Sequence, residues 1–350
     1  MELSFTDFME QYVLGVSAIS LKGTYLTMNL DKQAKQDIHL SGYQARDYDV
    51  VDYHMTELPG TGLQFRGPVP EAALSGGDFF ACIGAAQTFG CFCEEPYPDL
   101  IGREIGLPAL NLGYGGAGPE FFLKQDSLLP YLNRARFVIL QVMSARSQSN
   151  QLYDCDGLEY VRLRQDGRHM GAAAAFTELL CGPMTIHNLP LPFRVRRKLA
   201  NLKVRPRARA IVSDLREAWI RSSLELIERI EVPVILLWYS KRAPAYHEGY
   251  ATHSQLFGEF PHMVTPQMLA PLKPNVAAYV EVVTSVGSPQ PLFSRFTGKP
   301  TTVNPANDRS DLAVKPWSEN LYYPSPEMHH DVVSSLLNTP EAIAVMRNKP

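Results

Sequence analysis

Residues 78–122, DFFACIGAAQTFGCFCEEPYPDLIGREIGLPALNLGYGGAGPEFF, limit the possible folds of this chain more than any other stretch. Twice within it a short apolar run closes on a glycine turn and opens into a helical segment: FFACIG then AAQTFG, and PALNLG then YGGAGPEFF. Apolar runs of this kind, alternating with helices, predict a parallel sheet buried on both faces. Three further runs extend the pattern: RFVILQVM at 136–143, VPVILLWYS at 232–240 and AAYVEVVT at 277–284. In such sheets ligands bind beyond the carboxyl ends of the strands, where the glycine turns lie.

The remaining segments read as additions to this frame. Residues 1–40 carry β-branched and aromatic residues (SAISLKGTYLTMNL) that suggest a peripheral strand or hairpin, and residues 41–76 read as wrapping loop. The expected division is an N-terminal extension over 1–76 and one domain over 77–340, with an inserted cover at 151–210. That cover holds an Ala-rich helix, a Pro-rich link and a basic run with Arg or Lys at 194, 196, 197, 198, 203, 205, 207 and 209. A helix is expected from Ile211, with Ser213 or Asp214 as its N-cap. A last helix follows YYPSPEMHH.

Bulk composition excludes some functions. A net charge of −3 argues against general nucleic-acid binding, which draws on a basic surface. No apolar run nears the roughly 20 residues that span a bilayer, and the first 15 residues lack the features of a signal peptide. Five cysteines without a CxxC pair fit reduced thiols in a cytoplasmic protein. The basic run is either a solvated helix face or a contact for an anionic cosubstrate, a glycan or a membrane surface. Oligomeric state is not legible.

The order of short blocks resembles the SGNH (GDSL-type) hydrolase superfamily, which implies a three-layer α/β/α sandwich with a flavodoxin-like, mostly parallel sheet. The first block of that family would be Gly84 to Gly90, the second Asn111 to Gly116, the third Ser144 to Ser147, and the last Pro326 to His330. The chain also resembles a family of alphaproteobacterial proteins. Against the superfamily pattern, Ala86 stands where the nucleophilic serine belongs, Ala85 replaces the aspartate, and Arg146 stands in for the oxyanion-hole asparagine. Alanine closes the acyl-serine route, while a guanidinium suits a carboxylate, phosphate or sulfate.

The resemblance therefore shifts the chemistry onto Arg146 as an anion clamp and His329 as general base, with His330 beside it in Glu327-x-x-His330. Gly84, Ala86, Gln87, Gly113, Gly116 and Asn150 would line the substrate pocket. Cys91, one turn past Gln87, is either a thiolate nucleophile or a core residue, and Thr88 is a helix N-cap candidate. No metal site is expected. Two readings follow. One is a serine-independent transferase or hydrolase moving an acyl or sulfuryl group on a carbohydrate or lipid-linked substrate, from an acyl-CoA or activated sulfate donor. A capsular-polysaccharide acetyltransferase family with Gly-Asn-Cys-Gln after its first strand is similar in kind. The other is a catalytically inactive protein binding a glycan or anionic ligand in the same pocket.

Overall fold

The described residues of the computed structural model are 42–181, 193–304 and 315–348, and in the helix that begins at Phe193 the described side chains start at Pro206. The 1–40 strand, most of the Pro-rich link and the side chains of the basic run up to Arg205 fall outside them. Arg207 and Arg209 are exposed, and Arg209 lies over the Tyr250 ring.

A short helix α1 (Gly42–Asp47) and a hairpin of β1 (Thr56–Leu58) and β2 (Leu63–Phe65) precede α2 (Glu71–Gly76). The central sheet is made of β3 (Phe80–Gly84), β4 (Ala109–Gly113), β5 (Val138–Gln141), β9 (Val234–Ser240) and β10 (Ala278–Val283), all pairing parallel in the order β10-β9-β5-β3-β4. These are the five runs expected from the sequence. Counted along the sheet strands alone, the order is 2-1-3-4-5, the flavodoxin-like arrangement.

Each strand of the sheet's centre is buried on both sides because its side chains alternate between two cores. Ala81, Ile83, Val138, Leu140, Leu236 and Trp238 face one way. There they meet α5 (Pro119–Leu123), α6 (Leu129–Arg134), α7 (Ala172–Cys181), the long α8 (Phe193–Arg229) and α10 (Pro266–Leu269). Phe80, Cys82, Ile139, Ile235, Leu237 and Tyr239 face the other. That side is covered by α4 (Tyr97–Ile105), α11 (Pro326–Asn338) and α12 (Pro340–Arg347). The result is a three-layer α/β/α sandwich. Each fully buried aliphatic or aromatic side chain contributes roughly 1.5–3 kcal/mol, so the two cores dominate the favourable side of folding.

Four local expectations differ. The stretch read as wrapping loop over 41–76 holds α1, the β1–β2 hairpin and α2. Residues 193–229 form one helix with Pro206 inside it, so Ser213 and Asp214 lie mid-helix instead of capping it. Asp214 instead accepts the Gln151 backbone N–H at 3.0 Å. The inserted cover also holds an antiparallel sheet of β6 (Tyr153–Cys155), β7 (Tyr160–Leu163) and β8 (His169–Gly171). Thr88 is inside α3 (Ala86–Phe89), whose N-cap is Ala85. Its hydroxyl goes to Gln141 Oε1 at 2.7 Å, tying the first turn to β5. No helix among the described residues is long and apolar enough to cross a membrane.

Above the carboxyl edge of β3, a separate core joins the two ends of the described chain. Val51, Tyr53, Phe89, Cys91 and Phe92 pack there with Leu292, Val303, Trp317 and Tyr323. Arg46 is buried at its centre, paired with Asp47 and surrounded by the rings of Tyr43, Phe92, Trp317 and Tyr323. The salt bridge keeps the charge from being isolated, and the ring faces favour a cation.

Candidate functional site

Two cavities open at the carboxyl edge of the sheet, and they differ in kind. The recess over Ala86 has a volume of about 20 Å³, room for one water. It is enclosed by Tyr43, Gly116, Ser144, Glu159, Phe260 and Tyr323 among others. A second cavity of about 380 Å³ lies beside it, over the end of β9, within the usual ~300–1,000 Å³ range of small-molecule sites. Its walls are mostly aromatic and apolar, from Tyr239, Phe257, Phe260, Tyr322, Pro324 and Met328. Gln87, Arg146, Phe260 and Tyr322 belong to both spaces and form the neck between them.

Arg146 is brought there by the turn after β5, but not as an unopposed cation. Its guanidinium forms a buried ion pair with Glu159, carried in by the inserted sheet just ahead of β7. Burial disfavours the Arg146 charge, and Glu159, helped by the nearby tyrosines, more than offsets this, so its pKa stands above the usual value. The pair is neutral as a unit. This corrects the expectation of a free anion clamp, because the opposite charge is already in place. Arg146 Nε nevertheless has no hydrogen-bond partner, nor has Oε1 of Gln87, which is 3% exposed.

The histidine expected as base is elsewhere. His329, on α11, is fully buried, stacked on Tyr97 and edge-on to Tyr239, and lines neither cavity. Its Nδ1 accepts the backbone N–H of Tyr97, the first residue of α4, at 3.1 Å. A helix has no internal acceptor for that N–H, so His329 serves as a cap supplied from across the core. The proton therefore sits on Nε2, which has no partner. Burial, then the charges of Arg66 and His330, pushes its pKa down to about 3. His330 is exposed on the outer side of the helix.

Other expected lining residues are structural. A side chain on Gly84 would meet Thr88 and Gln141, and one on Gly113 would meet the Phe89 backbone, so both glycines permit close strand–helix packing. Gly116 does line the recess, at φ +75°. Asn150 closes a turn, donating to Gln148 O at 2.9 Å and accepting from Leu152 N at 2.8 Å. Cys91 is fully buried, and burial pushes its thiol pKa well up, so it remains a thiol. Among the described residues no group of His, Cys, Asp and Glu is placed to hold a metal.

The residue that sequence reasoning missed is His262. It lies in the loop after α9 (His253–Phe257), lines the larger cavity and is 6% exposed. Its Nδ1 lies 2.9 Å from the Gly258 carbonyl, which can only accept, so Nδ1 carries the proton and Nε2 the lone pair. That Nε2 is 3.3 Å from the Tyr322 hydroxyl, and the two rings stack. Burial, then the nearby Arg146 charge, holds the His262 pKa well below its usual value, leaving the imidazole neutral. The loop is pinned to the turn after β5, where His262 N donates to Ser144 Oγ at 3.0 Å and Ala145 N to His262 O at 2.9 Å. Farther out, Lys241 donates to Ser288 Oγ and Leu321 O, both at 2.7 Å, and burial lowers its pKa.

A family model described as "Domain of unknown function (DUF6473)" matches residues 42–299. The chain belongs to the DUF6473 family. The matched segment runs from α1 through the strand side of the cavity, while Tyr322, Pro324 and Met328, which close it, come from beyond. No curated protein matches this DUF6473 chain. Among solved structures, a catalytic mutant of an acetylxylan esterase from Geobacillus stearothermophilus overlaps it at 13% identity and TM-score 0.32, over 78% of this chain and 95% of that one. A putative acylhydrolase from Bacteroides fragilis overlaps at 10% identity and TM-score 0.34, over 79% and 97%. An extracellular lipase from Streptomyces rimosus overlaps at 14% and 0.32, over 73% and 98%. At these identities and scores the overlap transfers neither site nor activity to the DUF6473 chain.

Proposed function

We propose that this protein moves or hydrolyses an acyl group on a carbohydrate or lipid-linked ligand held in the larger cavity, without a protein nucleophile. The observation that carries this reading is the neutral His262, whose lone-pair nitrogen faces a ligand-sized, largely apolar space. His262 takes the place assigned from sequence to His329. Nε2 accepts the proton of a water or ligand hydroxyl as that oxygen bonds to the acyl carbon. The acyl–oxygen bond of an ester, or the acyl–sulfur bond of a thioester donor, then breaks, and the proton passes to the departing oxygen or sulfur. The attacking oxygen takes over from the Tyr322 hydroxyl the contact on Nε2 that is 3.3 Å in the resting site. Because Glu159 already balances Arg146, the site favours acyl transfer over transfer of a charged sulfuryl group.

A second reading, a non-catalytic binding protein, is favoured by Ala86 and the water-sized space above it. The two separate by assaying the purified full chain on acetylated monosaccharides, alone and with acetyl-CoA. Turnover is expected, falling ~10²–10⁴-fold in His262→Ala with the circular dichroism unchanged. Turnover that survives that substitution removes His262 from the chemistry. Ligand binding with no turnover makes the protein a binder.

A further inference from the structure

Arg242 lines neither cavity, yet it organises the loop from which His262 enters the larger one. It stands just past β9, and its guanidinium makes five hydrogen bonds to backbone carbonyls, as many as it has N–H groups. Nε donates to Glu259 O, and one terminal nitrogen to Ala243 O and Pro244 O, each at 2.9 Å. The other terminal nitrogen donates to Pro261 O and, at 3.0 Å, to Val264 O. The carbonyls of 259, 261 and 264 bracket His262 in the chain. The guanidinium also lies over the rings of Trp238 and Tyr246, 4.9 and 4.7 Å from their centroids. A lysine has three donors and no fixed fork, so it cannot hold these carbonyls together.

We propose that Arg242 is a positioning residue for His262: its fork fixes the loop that aims the imidazole, and its charge keeps that imidazole neutral. This rests on His262 being the base. Among the described residues Arg242 has no carboxylate paired with it, whereas Arg146 has Glu159 and Arg216 has Glu248. Burial brings the Arg242 pKa down to about 10, which leaves it charged at neutral pH. Its field reaches the imidazole. After burial and Arg146, Arg242 and His253 also disfavour the imidazolium, while the Gly258 carbonyl favours it. The other polar groups around the ring are the Tyr322 hydroxyl and, on the cavity wall, Lys241 and Glu259.

Two substitutions separate the fork from the charge. Arg242→Lys keeps the charge and loses the fork; Arg242→Gln loses the charge and keeps an amide donor. The imidazole nitrogens of the full chain are followed by NMR across pH, with the His262 signals assigned from His262→Ala, alongside kcat/KM for an acetyl ester. In the wild type the neutral His262 ring is expected to hold its proton on Nδ1 alone. In Arg242→Lys the neutral ring is expected to become a mixture of tautomers. Its kcat/KM falls ~10²-fold, as for a reacting group misplaced by ~1 Å, while the acid limb of the pH profile stays in place. In Arg242→Gln the protonation of the ring and the acid limb both move to higher pH, because a charge that opposed the imidazolium is gone. A merely structural role would lower the folded fraction, seen by circular dichroism, and leave both readouts unmoved in the molecules that fold. Wild-type tautomer and kcat/KM in Arg242→Lys overturn the proposal even if Arg242→Gln does not fold, and an unmoved ring titration in a folded Arg242→Gln overturns its electrostatic half. If the wild type turns over no acyl donor while the His262 tautomer still follows Arg242, the acyl-transfer reading falls and the positioning assignment stands.

Discussion

His262 and His329 are both buried and both neutral, yet they hold opposite tautomers. In His262 a carbonyl fixes the proton on Nδ1 and leaves Nε2 as a base facing a cavity. In His329 a helix N–H occupies the Nδ1 lone pair and forces the proton onto Nε2, against apolar surroundings. The His262 lone pair meets the Tyr322 hydroxyl at 3.3 Å on the cavity wall, a contact a ligand can displace, whereas the His329 lone pair is held by a helix N–H. Position in the chain selected His329; the proposed base is His262. What separates the proposed base from the structural histidine here is the partner of Nδ1, a feature no residue spacing encodes.

The strongest way to sharpen the contrast is to remove each ring. His262→Ala is expected to abolish most turnover while costing no more than about 1 kcal/mol of stability, since its ring borders a cavity that is already open. His329→Ala should do the reverse: about 2–4 kcal/mol of stability lost by denaturant titration, from the void and the uncapped α4, with turnover per folded molecule unchanged. If His329→Ala instead lowered turnover while the protein stayed fully folded, the structural role assigned to it would be wrong.

Acid titration tests the same contrast more gently. The folded-state pKa of His329 is down at about 3, against roughly 6.5 in an unfolded chain. Between those values the unfolded state binds more protons, so stability rises with pH and is lost as pH falls from about 6.5 towards 3. The slope is at most ~1.4 kcal/mol per pH unit per histidine. His262, also held low, adds to the loss as pH falls below its unfolded value. His329→Leu should flatten the dependence by one histidine's share; an unaltered slope in chemical denaturation from pH 4 to 6.5 would show that His329 is not buried neutral. The smallest effect concerns the position of the missing nucleophile. Ala86→Ser is expected to raise ester turnover less than ~3-fold, because a seryl hydroxyl there opens on a water-sized recess and the His329 lone pair is already occupied. A gain of orders of magnitude would mean that the hydrolase geometry survives.

Much of the fold was legible because the strands are largely apolar runs, two of them stopped by glycine at Gly84 and Gly113, and burial on both faces of the inner strands demands that composition. The inserted sheet was not legible. Its strands, Tyr153–Cys155, Tyr160–Leu163 and His169–Gly171, are three or four residues long and mix polar with apolar side chains, too short for a period to show. Arg146 and Gln87 were legible as site residues from their places after the strands. Glu159 and His262 were not. Glu159 comes from the turn ahead of β7, 13 residues past Arg146, and His262 from a loop far along the chain; neither carries a local motif. The meaning of Arg146 changed with them, from an anion clamp to half of a neutral pair. Gly84 and Gly113 were read as pocket lining because glycine turns and tight strand–helix packing use the same residue.

The aromatic enclosure of Arg46 has a consequence for assembly. Its rings come from both sides of the sheet in sequence: Tyr43 and Phe92 precede four of the five strands, while Trp317 and Tyr323 follow all five. Tyr322, the neighbour of Tyr323, also forms the cavity wall beside His262. During synthesis the sheet can pair as its strands emerge, whereas Arg46 waits for its final partners. The larger cavity is thus closed only as the stretch after β10 docks, and a ribosome stalled before Trp317 would carry a formed sheet with that cavity still open.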